Sequence, residues 1–171
     1  MSLTLILIRH AKSDWGDPSL PDHDRPLNMR GLAAAPLIGG WLDANGFAPD
    51  SVLCSTARRT QETWSGIATQ LSAAPAPVVL SRALFHAQPS DILQALRGCD
   101  GRKVAVIGHN PGIGALAWSL AATPPDHPSF GSYPTGACLV LEFQTATWAE
   151  ITEGTGQLQG FVTPRDLSNQ T

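Results

Sequence analysis

Several things are scarce in this chain, and each scarcity excludes something. Lysine is nearly missing, with only Lys12 and Lys103 among eleven basic residues, and the net charge is −3. That balance argues against nucleic-acid binding or a membrane-surface role. Cysteine is limited to Cys54, Cys99 and Cys138, odd in number and widely spaced, with no Cys-x-x-Cys or Cys/His cluster. Such thiols read as reduced side chains of a cytoplasmic protein, not as disulfides or zinc ligands. No apolar run approaches the roughly 20 residues of a membrane span. The start of the chain also lacks the basic region and cleavage site of a signal peptide. Repeats and linkers are absent as well.

What is present fits one domain covering residues 1–171, since 43% hydrophobic content supports a real core. Leu3 to Ile8 is an almost unbroken apolar run, as expected of a strand buried on both faces of a sheet. It ends in Arg9 and His10. A buried parallel strand delivers its last side chains to the carboxyl edge of the sheet, where open α/β folds bind ligands. A polar pair can also simply terminate a strand, so this stretch alone leaves both readings open.

The rest of the chain alternates. A long polar loop from Ala11 to about Arg30 leaves directly from His10 and is expected to form a wall of any site there. A helix is expected over Gly31–Ala44, with Leu32, Leu37, Ile38, Trp41 and Leu42 facing inward, stopped by Asn45-Gly46. Ser51–Cys54 is a short strand ending in Ser55-Thr56-Ala57-Arg58-Arg59, followed by an amphipathic helix to about Leu71. Val78–Leu80 is a third strand, Pro89 starts a helix closed by Gly98, and Lys103–Ile107 is a second buried strand. Gly108-His109-Asn110-Pro111 comes next, with Asn110 as expected N-cap and Pro111 as first residue of a helix to about Ala121. After a Pro-rich loop, Ala137–Phe143 and Thr147–Glu153 are expected to form a closing strand pair. This order predicts an α/β three-layer sandwich, a mostly parallel central sheet with helices on both faces.

Three strands thus end on reactive side chains: Arg9-His10, Ser55 to Arg59, and His109-Asn110. In a parallel sheet all three ends share one edge. Two histidines and two arginines there suit phosphoryl transfer, because neutral imidazole is a nucleophile toward phosphorus and arginine forks match phosphate oxygens. Competing motifs fit poorly. A cysteine phosphatase needs Arg six positions after its Cys, yet that position from Cys54 is Thr60. Gly108–Gly114 lacks the Gly-Lys-Ser/Thr of a nucleotide-binding loop. The Asp22-His23-Asp24 triplet has no carboxylate or histidine partners that would make a metal site.

Leu7-Ile8-Arg9-His10-Ala11 resembles the Arg-His motif of the histidine phosphatase (phosphoglycerate mutase-like) superfamily. Ser55, Arg59 and Thr63 match its second motif, and Gly108-His109-Asn110 its late Gly-His motif. Length, Lys12-Ser13, Asp24-Arg25-Pro26-Leu27 and the Thr163–Leu167 tail are similar to its short phosphohistidine phosphatase branch (SixA-like). The resemblance covers essentially the whole chain. It implies a two-step hydrolysis without metal or cofactor, with His10 as nucleophile and phosphohistidine carrier, and Arg9, Arg59 and His109 holding the phosphoryl oxygens. Lys12, Arg25 and Asn110 become candidates for substrate contact, Ser55 and Thr63 structural residues, and Arg58 a surface residue.

The expected substrate is a phosphorylated protein carrying phosphohistidine, or a small phosphorylated compound. Alternatives are a phosphomonoesterase of small esters and a catalytically weak module that only binds phosphorylated ligands. One departure from the family pattern stands out. Ser81–Ala87, where relatives acting on phosphate esters carry an acidic proton donor, contains no carboxylate, which leaves His86 or Asp24 as substitutes.

Overall fold

The first apolar run forms strand β1, Leu3–Arg9, near the middle of a six-stranded sheet. In a computed structural model, which describes residues 1–169, the remaining strands are β2 Ser51–Ser55, β3 Val78–Ser81, β4 Lys103–Gly108, β5 Cys138–Phe143 and β6 Gln157–Val162. Their order is β3-β2-β4-β1-β5-β6. The first four strands in that order are mutually parallel, while β5 pairs antiparallel with both β1 and β6. Among the described residues four helices connect them, α1 Met29–Ala44, α2 Arg58–Ala68, α3 Pro89–Arg97 and α4 Gly112–Leu120, and a fifth, α5 Pro164–Ser168, follows β6.

Alternation along β1 explains the layers. Leu5 and Leu7 join Val104, Val106, Leu139 and Leu141 on the face covered by Ile92 and Leu96 of α3 and Ile113, Leu116 and Leu120 of α4. Ile6 and Ile8 join Ala105, Ile107 and Val140 on the opposite face, under Ala35, Ile38 and Leu42 of α1 and Trp64 and Ile67 of α2. Both faces of the strand are dry, which is why its sequence carries no polar/apolar alternation. The expected three-layer α/β sandwich is the fold observed. No helix among the described residues is long and apolar enough to cross a membrane.

Several local expectations need correction. The second member of the closing strand pair is Gln157–Val162, not Thr147–Glu153. Thr147 and Glu150 instead form a reciprocal cap around a single 3₁₀ turn, Trp148–Glu150, the Thr-x-x-Glu signature of a helix start. Helix α1 begins two residues before the expected start, because the Asn28 side chain accepts from Gly31 N at 2.9 Å, and Leu32 is exposed, not inward. Helix α2 stops at Ala68, short of Leu71. Helix α4 starts at Gly112 with Pro111 as its N-cap, so Pro111 is not its first residue. Asn110, one position earlier, still caps the first turn by accepting from Gly114 N at 3.1 Å.

Candidate active site

Parallel pairing in register carries Arg9 opposite Gly108, so His10 and His109 both follow directly from strand ends. The backbone locks them there, with His10 N donating to Gly108 O at 3.0 Å and Gly136 N to His10 O at 2.9 Å. The two imidazole rings lie 5.3 Å apart between centroids. From β2, the turn into α2 brings Arg59, whose Nη2 donates to His109 Nδ1 at 3.3 Å. Arg9 donates through Nη1 to Tyr133 O at 3.1 Å. The four residues singled out by strand-end reasoning are thus neighbours.

The spacing Ser55, Arg59, Thr63 has a mechanical reason. Thr63 lies one helical turn after Arg59 and donates to its carbonyl at 2.7 Å, while its Oγ1 accepts from Ala11 N at 3.0 Å. One hydroxyl therefore ties the chain just after His10 to the helix that carries Arg59. Ser55 Oγ lies 2.8 Å from His109 Nε2 and accepts from Ala57 N at 3.3 Å. Arg59 can only donate, so Nδ1 of His109 accepts and Nε2 carries the hydrogen toward Ser55. Gly31 is required for another reason: a Cβ there would collide with the carbonyl of Lys12, where α1 closes on the loop leaving His10.

The tautomer of His10 follows from one bond. Its Nδ1 lies 2.7 Å from Ala11 O, and a carbonyl only accepts, so Nδ1 bears the hydrogen and Nε2 keeps its lone pair. Burial, reinforced by Arg59, Arg9 and Arg25, holds the His10 pKa down to about 4 against the raising effect of the Ala11 bond. Burial, with Arg59, His10 and His86 adding to it, lowers that of His109 to about 3. Both rings are neutral near pH 7. The Nε groups of Arg9 and Arg59 are buried without any hydrogen-bond partner, so neither guanidinium has all its donors satisfied by the protein.

The loop from Ala11 to Arg30 does wall this site, through a residue that sequence reasoning did not single out. Asp22 accepts from Arg59 through both its backbone O, at 2.6 Å from Nη1, and its Oδ2, at 3.2 Å from Nη2. It also pairs with Arg25 Nη2 at 2.9 Å. The Asp22-His23-Asp24 triplet is split by this geometry. His23 bonds Thr56 Oγ1 at 2.8 Å, and Asp24 is 58% exposed beside His23. The carboxylate at the pocket is thus Asp22, not Asp24. A cue was available: Asp22 lies three residues before Arg25, and a turn of 3₁₀ helix, Asp22–Asp24, brings that pair together. Tyr133 escaped notice too. Its hydroxyl, fully buried, donates to Leu7 O at 2.7 Å, fixing the backbone carbonyl that receives Arg9.

The remaining candidates lie further out. Arg25 is buried, its guanidinium donating to Ser13 Oγ, Asp14 O and Asp22 Oδ1 and lying 3.4 Å from the Trp15 ring centroid. It stands behind Asp22 as a brace. Asn110 spends its amide on Ser132 O and Tyr133 O. Lys12 lines a cavity of about 650 Å³ that also involves Arg30 and Arg165 and none of the four central residues. Arg58 is 57% exposed and pairs along its own helix with Glu62 at 3.2 Å, whereas the Arg59 side chain is 4% exposed. Among the described residues no three His, Cys, Asp or Glu side chains gather as a metal site would need.

Comparison with known proteins agrees with this picture. Residues 5–85 match the model of the histidine phosphatase superfamily, branch 1. An uncharacterised protein of Mycobacterium tuberculosis is 36% identical over 92% of this chain and its own full length. A 2,3-bisphosphoglycerate-dependent phosphoglycerate mutase of Beijerinckia indica is 31% identical, over 60% of this chain and 50% of that protein. Among solved structures, a candidate phosphohistidine phosphatase SixA from Nakamurella multipartitia aligns with a TM-score of 0.81 at 30% identity, covering 96% of this chain and 97% of that one. The protein histidine phosphatase SixA complexed with tungstate aligns at 0.73, with 96% and 99% coverage. At 23% identity, that last likeness speaks to the fold alone.

Proposed function

The chain belongs to the histidine phosphatase superfamily, and from that premise we propose that it is a metal-independent phosphohydrolase acting on phosphohistidine through a covalent intermediate on His10. The observation that carries this reading is the state of His10. Its Nδ1–H is committed to Ala11 O at 2.7 Å, burial keeps the ring neutral, and Nε2 is left as a lone pair facing a cluster of guanidinium groups. An imidazole prepared in this way needs no separate base to attack phosphorus.

In the first step Nε2 of His10 forms a bond to phosphorus as the bond to the leaving nitrogen breaks. The transition state spreads negative charge over three phosphoryl oxygens. Arg9 and Arg59 meet that charge with guanidinium donors already in place beside His10 and His109. His109 changes partner on binding: a phosphoryl oxygen takes the place of Arg59 at Nδ1, and the anion favours the imidazolium that donates to it. Ser55 keeps the ring oriented through Nε2. Water then attacks phosphorus and releases phosphate, restoring His10. Arg25 and Asn110 act by holding Asp22, Tyr133 and the start of α4 in position.

The choice of a P–N substrate is supported by the local chemistry and by the likeness to the Nakamurella protein. Expelling an alkoxide demands a strong proton donor, whereas imidazole is a far better leaving group near neutral pH. No carboxylate follows β3, where an acid donor for esters would stand. Rapid quench with a labelled phosphohistidine peptide tests the reading. An acid-labile, base-stable phosphoenzyme is expected in the native protein and none in His10→Ala. Label found on any other residue, or activity that EDTA removes and a divalent metal restores, would overturn it.

A further inference from the structure

His86 is exceptional in three ways. It follows the 3₁₀ turn Arg82–Leu84 after β3 and holds a left-handed backbone, φ 57°, a region few residues with a side chain occupy without support from their surroundings. Those surroundings are visible. Its ring packs on Phe85 at 3.9 Å between centroids and lies 6.2 Å from the His109 ring. Next along the chain, the carbonyl of Ala87 is pressed against the first residue of α4, so closely that Gly112 could carry no side chain. With that anchor, His86 Nε2 stands 3.5 Å from Asp22 Oδ2, and its side chain remains 63% exposed. His10 and His109 are 6% exposed each, so His86 is the imidazole at the mouth of the pocket, where a leaving group must exit.

We propose that His86, turned toward the pocket by Asp22, is the residue that delivers a proton to the leaving atom of the substrate. The proposal rests on the phosphotransfer to His10 described above and adds its missing acid. As the His10–phosphorus bond forms, the bond from phosphorus to the leaving atom breaks and its electron pair stays on that atom. The leaving atom takes the hydrogen from the His86 imidazolium, which becomes neutral. In the second step the attacking water gives one hydrogen to His86 and its oxygen to phosphorus, while the bond to His10 breaks. At 3.5 Å the Asp22 contact orients the ring without the tight hydrogen bond that would hold the proton back. Donor and leaving group are then the same chemical kind when the substrate is phosphohistidine, which suits proton transfer between them.

The test compares leaving groups on the full chain. A proton donor matters for phenyl phosphate and hardly at all for nitrophenyl phosphate, whose phenolate leaves unaided. His86→Asn, which tolerates a left-handed backbone, should lower kcat/KM for phenyl phosphate by ~10²-fold and leave nitrophenyl phosphate within about threefold. In His86→Gly, added imidazole should restore phenyl phosphate turnover in proportion to its concentration, a recovery that a structural role would not allow. Asp22→Asn should steepen the same dependence on leaving group, and should slow both substrates as Arg59 loses its carboxylate. Equal losses on both esters in His86→Asn, or no loss on either, would overturn the proposal. A native protein that forms no phosphoenzyme with any of these compounds would instead overturn the function from which the proposal starts.

Discussion

The floor and the rim of the pocket are built by different means. Arg9, His10 and His109 are placed by the ladder between β1 and β4, and Arg59 by the first turn of α2. All four lie on the carboxyl edge of a sheet whose interior is dry. The rim, Asp22 and His86, comes from a loop and a turn, each 40% exposed or more at the side chain. The floor is therefore rigid and anion-seeking, with three arginines counting Arg25 against the single carboxylate of Asp22. The rim carries groups able to take and give protons. In the proposed reaction, binding strength and phosphorus chemistry belong to the first region, and the choice of leaving group to the second.

Removing the nucleophile should have the largest effect. His10→Ala is expected to lower kcat by at least ~10³-fold on every substrate, good leaving group or poor, since the proposed reaction carries the phosphoryl group on His10. Stopped-flow turnover of nitrophenyl phosphate measures it, and a loss confined to poor leaving groups would mean that floor and rim had been misassigned.

Next come the two adjacent arginines of α2. Arg59→Ala should remove about 2–4 kcal/mol of transition-state stabilisation. Arg58→Ala, at an exposed ion pair with Glu62, should stay within about 0.5 kcal/mol. Steady-state kinetics on both variants read the difference directly, and the reverse order would shift the helix register by one residue.

The floor should also leave a mark on stability. The folded His10 pKa, about 4, lies below the ordinary histidine value of about 6.5. The unfolded chain thus binds the proton first, so this stabilisation is complete above about pH 6.5 and is lost as pH falls toward 4. Between pH 7 and pH 5 the protein should lose on the order of 2 kcal/mol through this group alone. His10→Gln, which cannot titrate, should show a correspondingly flatter dependence in urea unfolding.

The smallest effect is expected away from both regions. Lys12 faces the cavity shared with Arg30 and Arg165, so Lys12→Ala should change kcat/KM for a small aryl phosphate by less than about twofold. A larger loss would extend the floor beyond the four residues.

These contrasts bear on what could be read in advance. Floor residues were legible because a strand buried on both faces is an unmistakable apolar run, and a parallel sheet must gather the ends of such runs on one edge. Leu3–Ile8 and Lys103–Ile107 thus announced His10 and His109 before any contact was known. Arg59 was separable from Arg58 only through the family motif, since propensity treats the two alike. The rim was not legible in the same way. Asp22 sat in a triplet that looked isolated, because its partners Arg25, Arg59 and His86 meet it through loop geometry that has no period.

The late chain shows the same limit: Thr147–Glu153 is apolar enough for a strand, yet a cap between Thr147 and Glu150 claims it for a turn. By itself the sequence determined the layers, the parallel core and the edge on which the chemistry sits, because burial imposes a pattern residue by residue. Which carboxylate faces Arg59, which nitrogen of His10 is free and where His86 points were decided only by the tertiary structure. Those depend on single hydrogen bonds between segments distant in the chain, such as Arg59 to the Asp22 carbonyl, 37 residues apart.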